Sequence, residues 1–438
     1  MRVFIAALMV LGACATPREE ALTAPRLPDT PVLYRALPAG ETRWSNEALA
    51  KLFVRLVFDA EWGARRVALV RFEGPISVGL EGPGAEQYRD FLERYFSYLR
   101  RHALLDIRTG AVGRNLHIRF VEGADFRALL PGAACVVVPG DLAWEQYAER
   151  PDRLGGRAMV ELRAIRAMTV FLPGSDEPHR VRACLLEEIA QALGPINDFY
   201  GLGPSVFNDD FAHLWPTRLD LLMLRVLYDG ALRPGLSRAE TEVRARAVLD
   251  RIHPAGQGAA PLPYPLRSGM RDWRTRMQRI VSRETGARAR RALALALAEE
   301  AAIRVPDTPW HCHALLTLGR VLLRPDPDAA LAALNKAGAV CARVHGGDDL
   351  RLARIRIERA AALLALMRPR EALAETSGLE RVLAAHGLDE RLAAHYALKS
   401  RALRALGEQA AAERAEAQAR TWAGYALGVE NAALIDWL

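Results

Sequence analysis

The sequence contains few lysines and no long apolar run. Of its 59 lysines and arginines only Lys51, Lys336 and Lys399 are lysine. This bias, with the abundance of alanine, indicates a GC-rich genome rather than a binding role. No stretch of eighteen uncharged apolar residues occurs, so no transmembrane helix is predicted. The formal charge of +7 reads as spread along the chain, without a basic stripe that carries aromatic residues, and we expect no nucleic-acid partner.

The signatures of several enzyme classes are missing as well. The chain has no G-x-S-x-G motif, P-loop or dinucleotide-binding fingerprint. It has no C-x-x-C pair, which argues against a zinc site made of thiolates. His179 and His213 have no histidine four residues away, and His311 and His313 would point to different faces of a helix. We therefore expect no conventional zinc site.

The N-terminal residues have the pattern of an export signal. Arg2 precedes a short apolar run over 3–11, which ends in Leu-Gly-Ala before Cys14. This pattern resembles the lipobox of bacterial lipoproteins, which implies that Cys14 is acylated and anchors the mature chain to a membrane. An ordinary signal peptide with a chance cysteine is the alternative. Residues 15–44 are predicted to be a flexible tether facing the periplasm, and Ala15 in place of aspartate favours the outer over the inner membrane.

Four cysteines follow Cys14, and they fall two in each half of the chain. An exported protein folds where disulfides persist, so we expect two bridges. Three pairings are possible from the sequence alone. The distribution favours Cys135–Cys184 and Cys312–Cys341.

The front half mixes helical and strand periodicities. Helical spacing of apolar residues occurs over 45–60, 85–103, 179–193 and 217–227, and strand patterns occur over 66–80, 116–120, 135–138 and 168–172. This order predicts an α+β domain over 45–236, with helices packed on a mixed sheet. Ser237 and Glu240 form a capping box that begins a helix, and a linker rich in Pro, Gly and Ala follows, so 237–267 are predicted as helix and linker.

The back half shows only helical patterns and short turns. The predicted helix pairs are 308–323 with 327–344, 349–366 with 369–385, and 389–405 with 408–424. Small residues recur just after each turn, at Ala330, Ala372 and Ala411, and the spacing resembles that of tetratricopeptide-type repeats. We expect an all-α region of stacked helical hairpins over 268–425 and a tail over 426–438. An irregular α-bundle is the alternative.

One segment carries the most specific pattern. It ends at Asp198 and contains E-E-x-x-Q-x-L-G-x-x-N-D on a predicted helix and the turn that follows. The spacing resembles the H-E-x-x-H-x-x-G-x-x-H motif of metzincin zinc proteases, in which the histidines bind zinc and the glutamate is the general base. The resemblance places Glu188 at the general-base position and Gly194 at the turn. The three ligand positions are occupied by Glu187, Gln191 and Asn197.

More of the front half agrees with this resemblance. Residues 70–78 are similar to the extended opening segment of such domains, and Phe207 stands where the methionine of the Met-turn would be. Residues 217–229 are similar to the final helix of matrixin-like proteases. The resemblance covers about 45–235 and implies that 179–198 lie across the back of a sheet beside a groove. The same motifs also resemble an uncharacterised family of exported bacterial proteins.

The residues that differ from the metzincin motif determine which metal ion, if any, this segment could bind. The amides of Gln191 and Asn197 bind zinc poorly, and only Glu187 offers a good donor among the three positions. With Asp198 nearby, the set provides oxygen ligands that suit Ca²⁺ or Mg²⁺ better than zinc. We expect no cofactor, with a hard divalent cation as the alternative. Glu188 is catalytic only if the domain is active.

A purely structural interpretation of the same helix is also open. On periodicity alone, one apolar face would pack on the sheet and the acidic and amide side chains would lie on the surface. The apolar face consists of Leu186, Ile189, Ala190 and Leu193. The surface residues would be Glu187, Glu188 and Gln191.

Three functions are compatible with these patterns. The preferred hypothesis is a lipid-anchored protein whose inactive protease-like domain binds a peptide or protein in the envelope, while the repeats bind a second partner. The second is an atypical metal-dependent peptidase with Glu188 as general base. The third is a structural envelope protein whose cleft is filled.

Overall fold

A computed structural model describes residues 44–428 except 61–62, 111–112, 199–201, 203, 209–211, 263–271, 283 and 348. The predicted signal segment with Cys14 and the tether up to residue 43 lie outside the described residues, as do residues 429–438 of the predicted tail. Within the described part, no helix combines the length and the apolar character needed to cross a membrane.

The front domain is built on a five-stranded mixed sheet, as the sequence predicts. Its strands are β1 (Ile76–Glu81), β2 (Ile107–Thr109), β3 (Leu116–Val121), β4 (Val136–Pro139) and β5 (Met168–Pro173). The spatial order is β2-β1-β3-β5-β4. Strands β1, β2, β3 and β5 run parallel, whereas β4 pairs antiparallel with β5 at one edge. Because β5 is covered on both faces, it is buried at every position.

The helices of the front domain cover both faces of the sheet. They are α1 (Asn46–Phe58), α2 (Arg89–His102), α3 (Gly123–Leu129), α4 (Trp144–Glu149), α5 (Pro151–Leu154), α6 (Gly156–Glu161), α7 (Pro178–Ala192), α8 (Arg218–Leu227) and α9 (Arg238–Ile252). Helices α2 and α7 pack on one face of the sheet, and α3 and α4 pack on the other around Phe126 and Phe171. The predicted capping box of Ser237 and Glu240 begins α9, which packs on α1 in a second apolar cluster.

The back half consists of helices joined mostly by short turns. They are α10 (Trp273–Val281), α11 (Ala287–Arg304), α12 (Pro309–Leu322), α13 (Pro327–His345), α14 (Leu350–Ala365), α15 (Pro369–Thr376), α16 (Leu379–Ala385), α17 (Asp389–Ala405) and α18 (Gln409–Leu427). The predicted pairs are present as α12 with α13, α14 with α15 and α16, and α17 with α18. The predicted helix over 369–385 is interrupted, because Gly378 adopts φ +74° and separates α15 from α16.

Both predicted disulfides are present. Cys135–Cys184 joins the segment before β4 to the middle of α7, and Cys312–Cys341 joins α12 to α13. Each bridge therefore lies within one half of the chain and fixes two elements of the same region.

Candidate functional site

The candidate site is α7 together with the turn that follows it. The helix begins at Pro178, whose missing N–H is tolerated in the first helical turn. It packs on β4 and β5, and the disulfide at Cys184 holds it there. Residues of the predicted apolar face are all buried, namely Leu186, Ile189, Ala190 and Leu193.

The polar residues of α7 are less exposed than the structural interpretation predicted. Glu188 is only 7% exposed, so its expected surface position was wrong. Periodicity along one helix does not reveal how many sides of it are covered, and α7 contacts both the sheet and α18 of the helical region. Glu187 and Gln191 are half-buried in the same helix.

The amide side chains at the predicted ligand positions form hydrogen bonds within the protein. Asn197 is buried and donates from Nδ2 to the carbonyl oxygen of Arg55, 3.1 Å away in α1. Gln191 donates from Nε2 to Oδ2 of Asp198 at 2.9 Å. The fold thus brings Gln191 and Asp198 together, whereas it directs the amide nitrogen of Asn197 to a different helix.

The donor chemistry at these positions is a mixture of carboxylates and amides. Across the described residues, no group of three or more His, Cys, Asp or Glu side chains is placed to hold a metal ion. Glu187 and Asp198 supply carboxylates, whereas Gln191 and Asn197 donate through their amide nitrogens and offer zinc only amide oxygens, which are weak ligands for it. The arrangement therefore fits zinc poorly and is suited to holding the turn after α7 in place.

A buried arginine that the sequence did not point to supports this turn. Gly194 has φ +139°, and a Cβ atom there would lie 2.8 Å from Cδ2 of Leu227. Arg66 donates to the carbonyl oxygen of Gly194 at 2.6 Å and to that of Met159 at 2.9 Å. Burial lowers the pKa of Arg66 to about 9, so the side chain remains protonated at neutral pH. Arginine is usually exposed, and no sequence signal separates Arg66 from its surface neighbours.

A buried carboxylate fastens the loop before α8. Asp220 accepts hydrogen bonds from the Ser205 hydroxyl at 2.5 Å, from the backbone N–H of Val206 at 3.0 Å and from the N–H of Thr217 at 2.7 Å. The loop carries Phe207 into the core, where it is fully buried. Burial raises the pKa of Asp220 to about 6, although these hydrogen bonds favour the charged form.

A polar cleft of about 380 Å³ lies at the amino ends of β1 and β2. Tyr228 lines this cleft and donates from its hydroxyl to the carbonyl oxygen of Leu193 at 2.8 Å, so the cleft adjoins the end of α7. The guanidinium of Arg71 lies 5.4 Å from the centroid of the Tyr228 ring. Leu104, with φ +60° and 70% exposure, stands at the rim. Tyr228 therefore connects this cleft to the end of α7, whereas no residue of 178–198 lines the cleft.

The N-terminal end of α7 is covered by the helical region. Arg182 forms an ion pair with Asp389 at the start of α17 and donates to the carbonyl oxygen of Tyr425 at 3.0 Å. Its guanidinium also lies 4.0 Å from the centroid of the Tyr425 ring. The side chains of Arg182 and Asp389 are 8% and 6% exposed, so water is largely excluded from the pair. Nδ1 of His179 lies 3.0 Å from the carbonyl oxygen of Ala426.

Comparison with known proteins finds one family model that matches the front domain. Residues 46–247 match the model of a family described as a protein of unknown function, DUF2927. The match begins at the first residue of α1 and ends within α9, and it leaves out the helical hairpins. A search of curated proteins found no match. The α+β domain, and not the helical region, therefore fits an uncharacterised family, in agreement with the resemblance of its motifs.

Proposed function

We propose that this chain is an exported, lipid-anchored binding protein whose front domain is a metzincin-like scaffold without catalytic zinc. The front domain holds an extended segment of a peptide or protein in the cell envelope. The tetratricopeptide-like hairpins bind a second partner on the surfaces that do not contact the front domain. The lipid on Cys14 keeps both partners at the membrane.

The observation that carries this proposal is the hydrogen bonding of the two amides. In an active zinc protease of this type the three ligands must converge on one point within about 2.1 Å. Here Asn197 donates to α1 and Gln191 donates to Asp198. These residues stabilise the turn after α7, which supports a role for the scaffold in binding rather than in hydrolysis.

The edge strand β4 supports the binding of an extended peptide. The N–H of Gly140 bonds to the carbonyl of Ala167, and the same register makes the backbone groups of Val136 and Val138 face β5. The N–H and C=O of Val137 consequently point away from the sheet. An extended segment can add at this edge as a further strand.

Metal analysis and a peptidase assay test the absence of catalysis. Purified protein is analysed for zinc, calcium and magnesium, and its peptidase activity is compared with that of Glu188→Gln. We expect no stoichiometric metal and no difference in activity between the two proteins. A stoichiometric metal, together with activity that is lost in Glu188→Gln, would favour the peptidase hypothesis and overturn the proposal.

Restoring the three imidazoles tests the metzincin-like scaffold directly. A metzincin-like scaffold requires that histidines at these three positions converge on one point, so we expect the variant with Glu187→His, Gln191→His and Asn197→His to bind one zinc ion. The matched control carries only Glu187→His and Gln191→His and should bind zinc more weakly, since it lacks the third ligand. A folded triple variant that binds zinc no better than this control contradicts the scaffold assignment.

Peptide selection combined with hydrogen exchange tests the binding edge. Peptides selected from a random library should slow the exchange of the Val137 amide. They should leave the Val138 amide unchanged, because it is already bonded to β5. Protection confined to the helical region, or no selected peptide, would exclude strand addition at β4.

Cell fractionation tests the anchor independently of the other experiments. We expect the unaltered protein to sediment with membranes and Cys14→Ser to remain soluble in the periplasm. Sedimentation that is unchanged in Cys14→Ser would refute the lipid anchor.

A further inference from the structure

One segment of the chain has a net positive charge almost as large as that of the whole sequence. Residues 271–291 contain eight arginines and two acidic residues, a net charge of +6, while the whole chain has a formal charge of +7. The interpretation of the charge as evenly spread was therefore wrong. The segment covers α10, the start of α11 and the turn between them.

Some of these arginines have structural partners. Arg276 forms an ion pair with Glu300, and Arg290 donates to the carbonyl oxygens of Ser282 at 2.9 Å and Thr285 at 3.0 Å. The contacts of Arg290 fix the turn between α10 and α11, and the Arg276–Glu300 pair joins the first half of α10 to the last turns of α11. They bring the last turn of α10 beside the first turns of α11.

Three other arginines are exposed around this turn. Arg279 lies in the last turn of α10, and Arg288 and Arg291 lie in the first turns of α11. No described residue pairs with any of the three. We call Arg279, Arg288 and Arg291 the arginine patch.

Exposed apolar side chains adjoin the arginine patch. Val281 is 68% exposed at the end of α10, and Leu295 is 49% exposed on α11. Arg288, Arg291 and Leu295 are three and four residues apart, so they lie on one face of the helix. A face that combines cations with apolar side chains is the combination that binds at a membrane surface.

The position of the patch in the chain favours a membrane as its partner. The described chain begins at Trp44, which pairs with Ala260 only a short segment before α10. The tether proposed from the sequence has roughly 30 residues, and a random coil of that length would have a root-mean-square end-to-end distance of about 30 Å. An anchored chain would therefore hold the patch close to the bilayer, where even a weak contact becomes effectively intramolecular.

We propose that the arginine patch, with Val281 and Leu295, docks the helical region on the anionic phospholipid headgroups of the membrane. Which membrane the patch meets depends on the proposed lipid anchor. The affinity of the patch for anionic headgroups does not depend on that anchor. The contact provides the second attachment point that a single N-terminal lipid lacks. It orients the helical region and the front domain relative to the bilayer.

Vesicle binding by protein without the anchor tests this inference. Residues 15–438 are mixed with vesicles of phosphatidylglycerol and phosphatidylcholine, and separately with vesicles of phosphatidylcholine alone. We expect binding only to the anionic vesicles, weakening as salt is added. The variant with Arg279→Gln, Arg288→Gln and Arg291→Gln should bind about 100-fold more weakly, because each arginine near an anionic surface contributes about five-fold.

A matched variant separates the patch from bulk charge. Arg153→Gln, Arg163→Gln and Arg166→Gln remove the same charge from exposed positions of the front domain. We expect this variant to bind anionic vesicles as tightly as the unaltered chain. Thermal unfolding should be unchanged in both triple variants. An equal loss in the two variants, no binding to anionic vesicles, or equal binding to neutral vesicles would each overturn the inference. None of these outcomes depends on the fractionation of Cys14→Ser.

Discussion

In the front domain, buried polar side chains reach backbone carbonyls far away in the sequence, whereas in the helical region adjacent helices pack through small apolar residues. Tyr95 donates to the carbonyl of Leu186 at 2.9 Å, and Tyr98 donates to that of Pro216 at 2.6 Å. In the helical region, a Cβ on Gly319 would lie 2.6 Å from Leu334, which shows how closely α12 and α13 approach.

This difference teaches how each region specifies its fold. The irregular segments around α7 have no repeating pattern, and single buried polar groups such as Arg66 and Asp220 hold them in place. The hairpins depend on a periodic pattern in which each helix covers its neighbour. We therefore expect substitutions of buried polar residues around α7 to be severe and substitutions of exposed polar residues in the helical region to be mild.

The largest expected effect is the loss of stability when a disulfide is removed. Comparing the two bridges tests whether this loss differs between the front domain and the helical region. Removing Cys135–Cys184 with two serines frees a loop of 49 residues, and removing Cys312–Cys341 frees one of 29 residues. Because the entropic effect depends only on the logarithm of loop length, both losses should be about 4 kcal/mol of unfolding free energy. Urea denaturation of both double variants measures them. A loss confined to the front bridge would mean that local packing, and not chain entropy, determines the effect.

The second prediction concerns the ion pair that joins the two regions. Arg182→Ala leaves Asp389 buried without its partner and should lower the free energy of unfolding by about 3 kcal/mol. The control is Arg404→Ala, which removes an exposed partner of Glu416 and should cost less than about 0.5 kcal/mol. Denaturation of both variants, followed by tryptophan fluorescence, provides the measurement. Equal effects would show that the regions do not depend on this contact.

The third prediction uses the raised pKa of Asp220. Its pKa is about 6 in the folded chain and 3.8 in a model peptide, so the folded state binds the proton more tightly. Its contribution is fully present below about pH 4 and is lost as the pH rises to about 6, by an amount on the order of 3 kcal/mol. Asp220→Asn should abolish this slope, whereas Asp152→Asn, at an exposed site, should retain it. Identical pH profiles of all three proteins would contradict the assignment.

The smallest expected effect concerns the turn after α7. Gly194→Ala places a Cβ 2.8 Å from Leu227 at a positive φ, which should cost about 2 kcal/mol. Gly230→Ala is the control, because nothing lies within 4 Å of its Cβ position. Thermal unfolding compares the two variants. A loss of stability as small as that of the control would mean that the turn can move to accommodate a side chain at position 194.

The longer helices were predicted well from the sequence because their apolar residues recur over many positions. Residues 179–193 were predicted as a helix and α7 spans Pro178–Ala192, since the apolar spacing and Gly194 mark its face and its end. Helices α4 to α6 were not predicted, because elements of four to six residues have little intrinsic stability and form through tertiary contacts.

The polar contacts of the candidate site could not be predicted in the same way. The E-E-x-x-Q pattern located α7 and its polar residues, but it gave no indication that Glu188 is buried or that Asn197 binds α1. An arginine at position 66 or 182 has the same appearance in the sequence as one on the surface. Only the folded chain distinguishes them, because the partners of Arg182 lie more than 200 residues away.

The distance between Arg182 and Asp389 has a consequence for how the chain matures. The two residues are 207 positions apart, so the cover of α7 is synthesised long after α7 itself. A chain that folds from its N-terminus leaves Arg182 of α7 exposed until α17 and α18 have emerged. A product truncated before α18 lacks Tyr425 and Ala426, and although its front domain is complete, α7 stays unshielded and accessible to proteases.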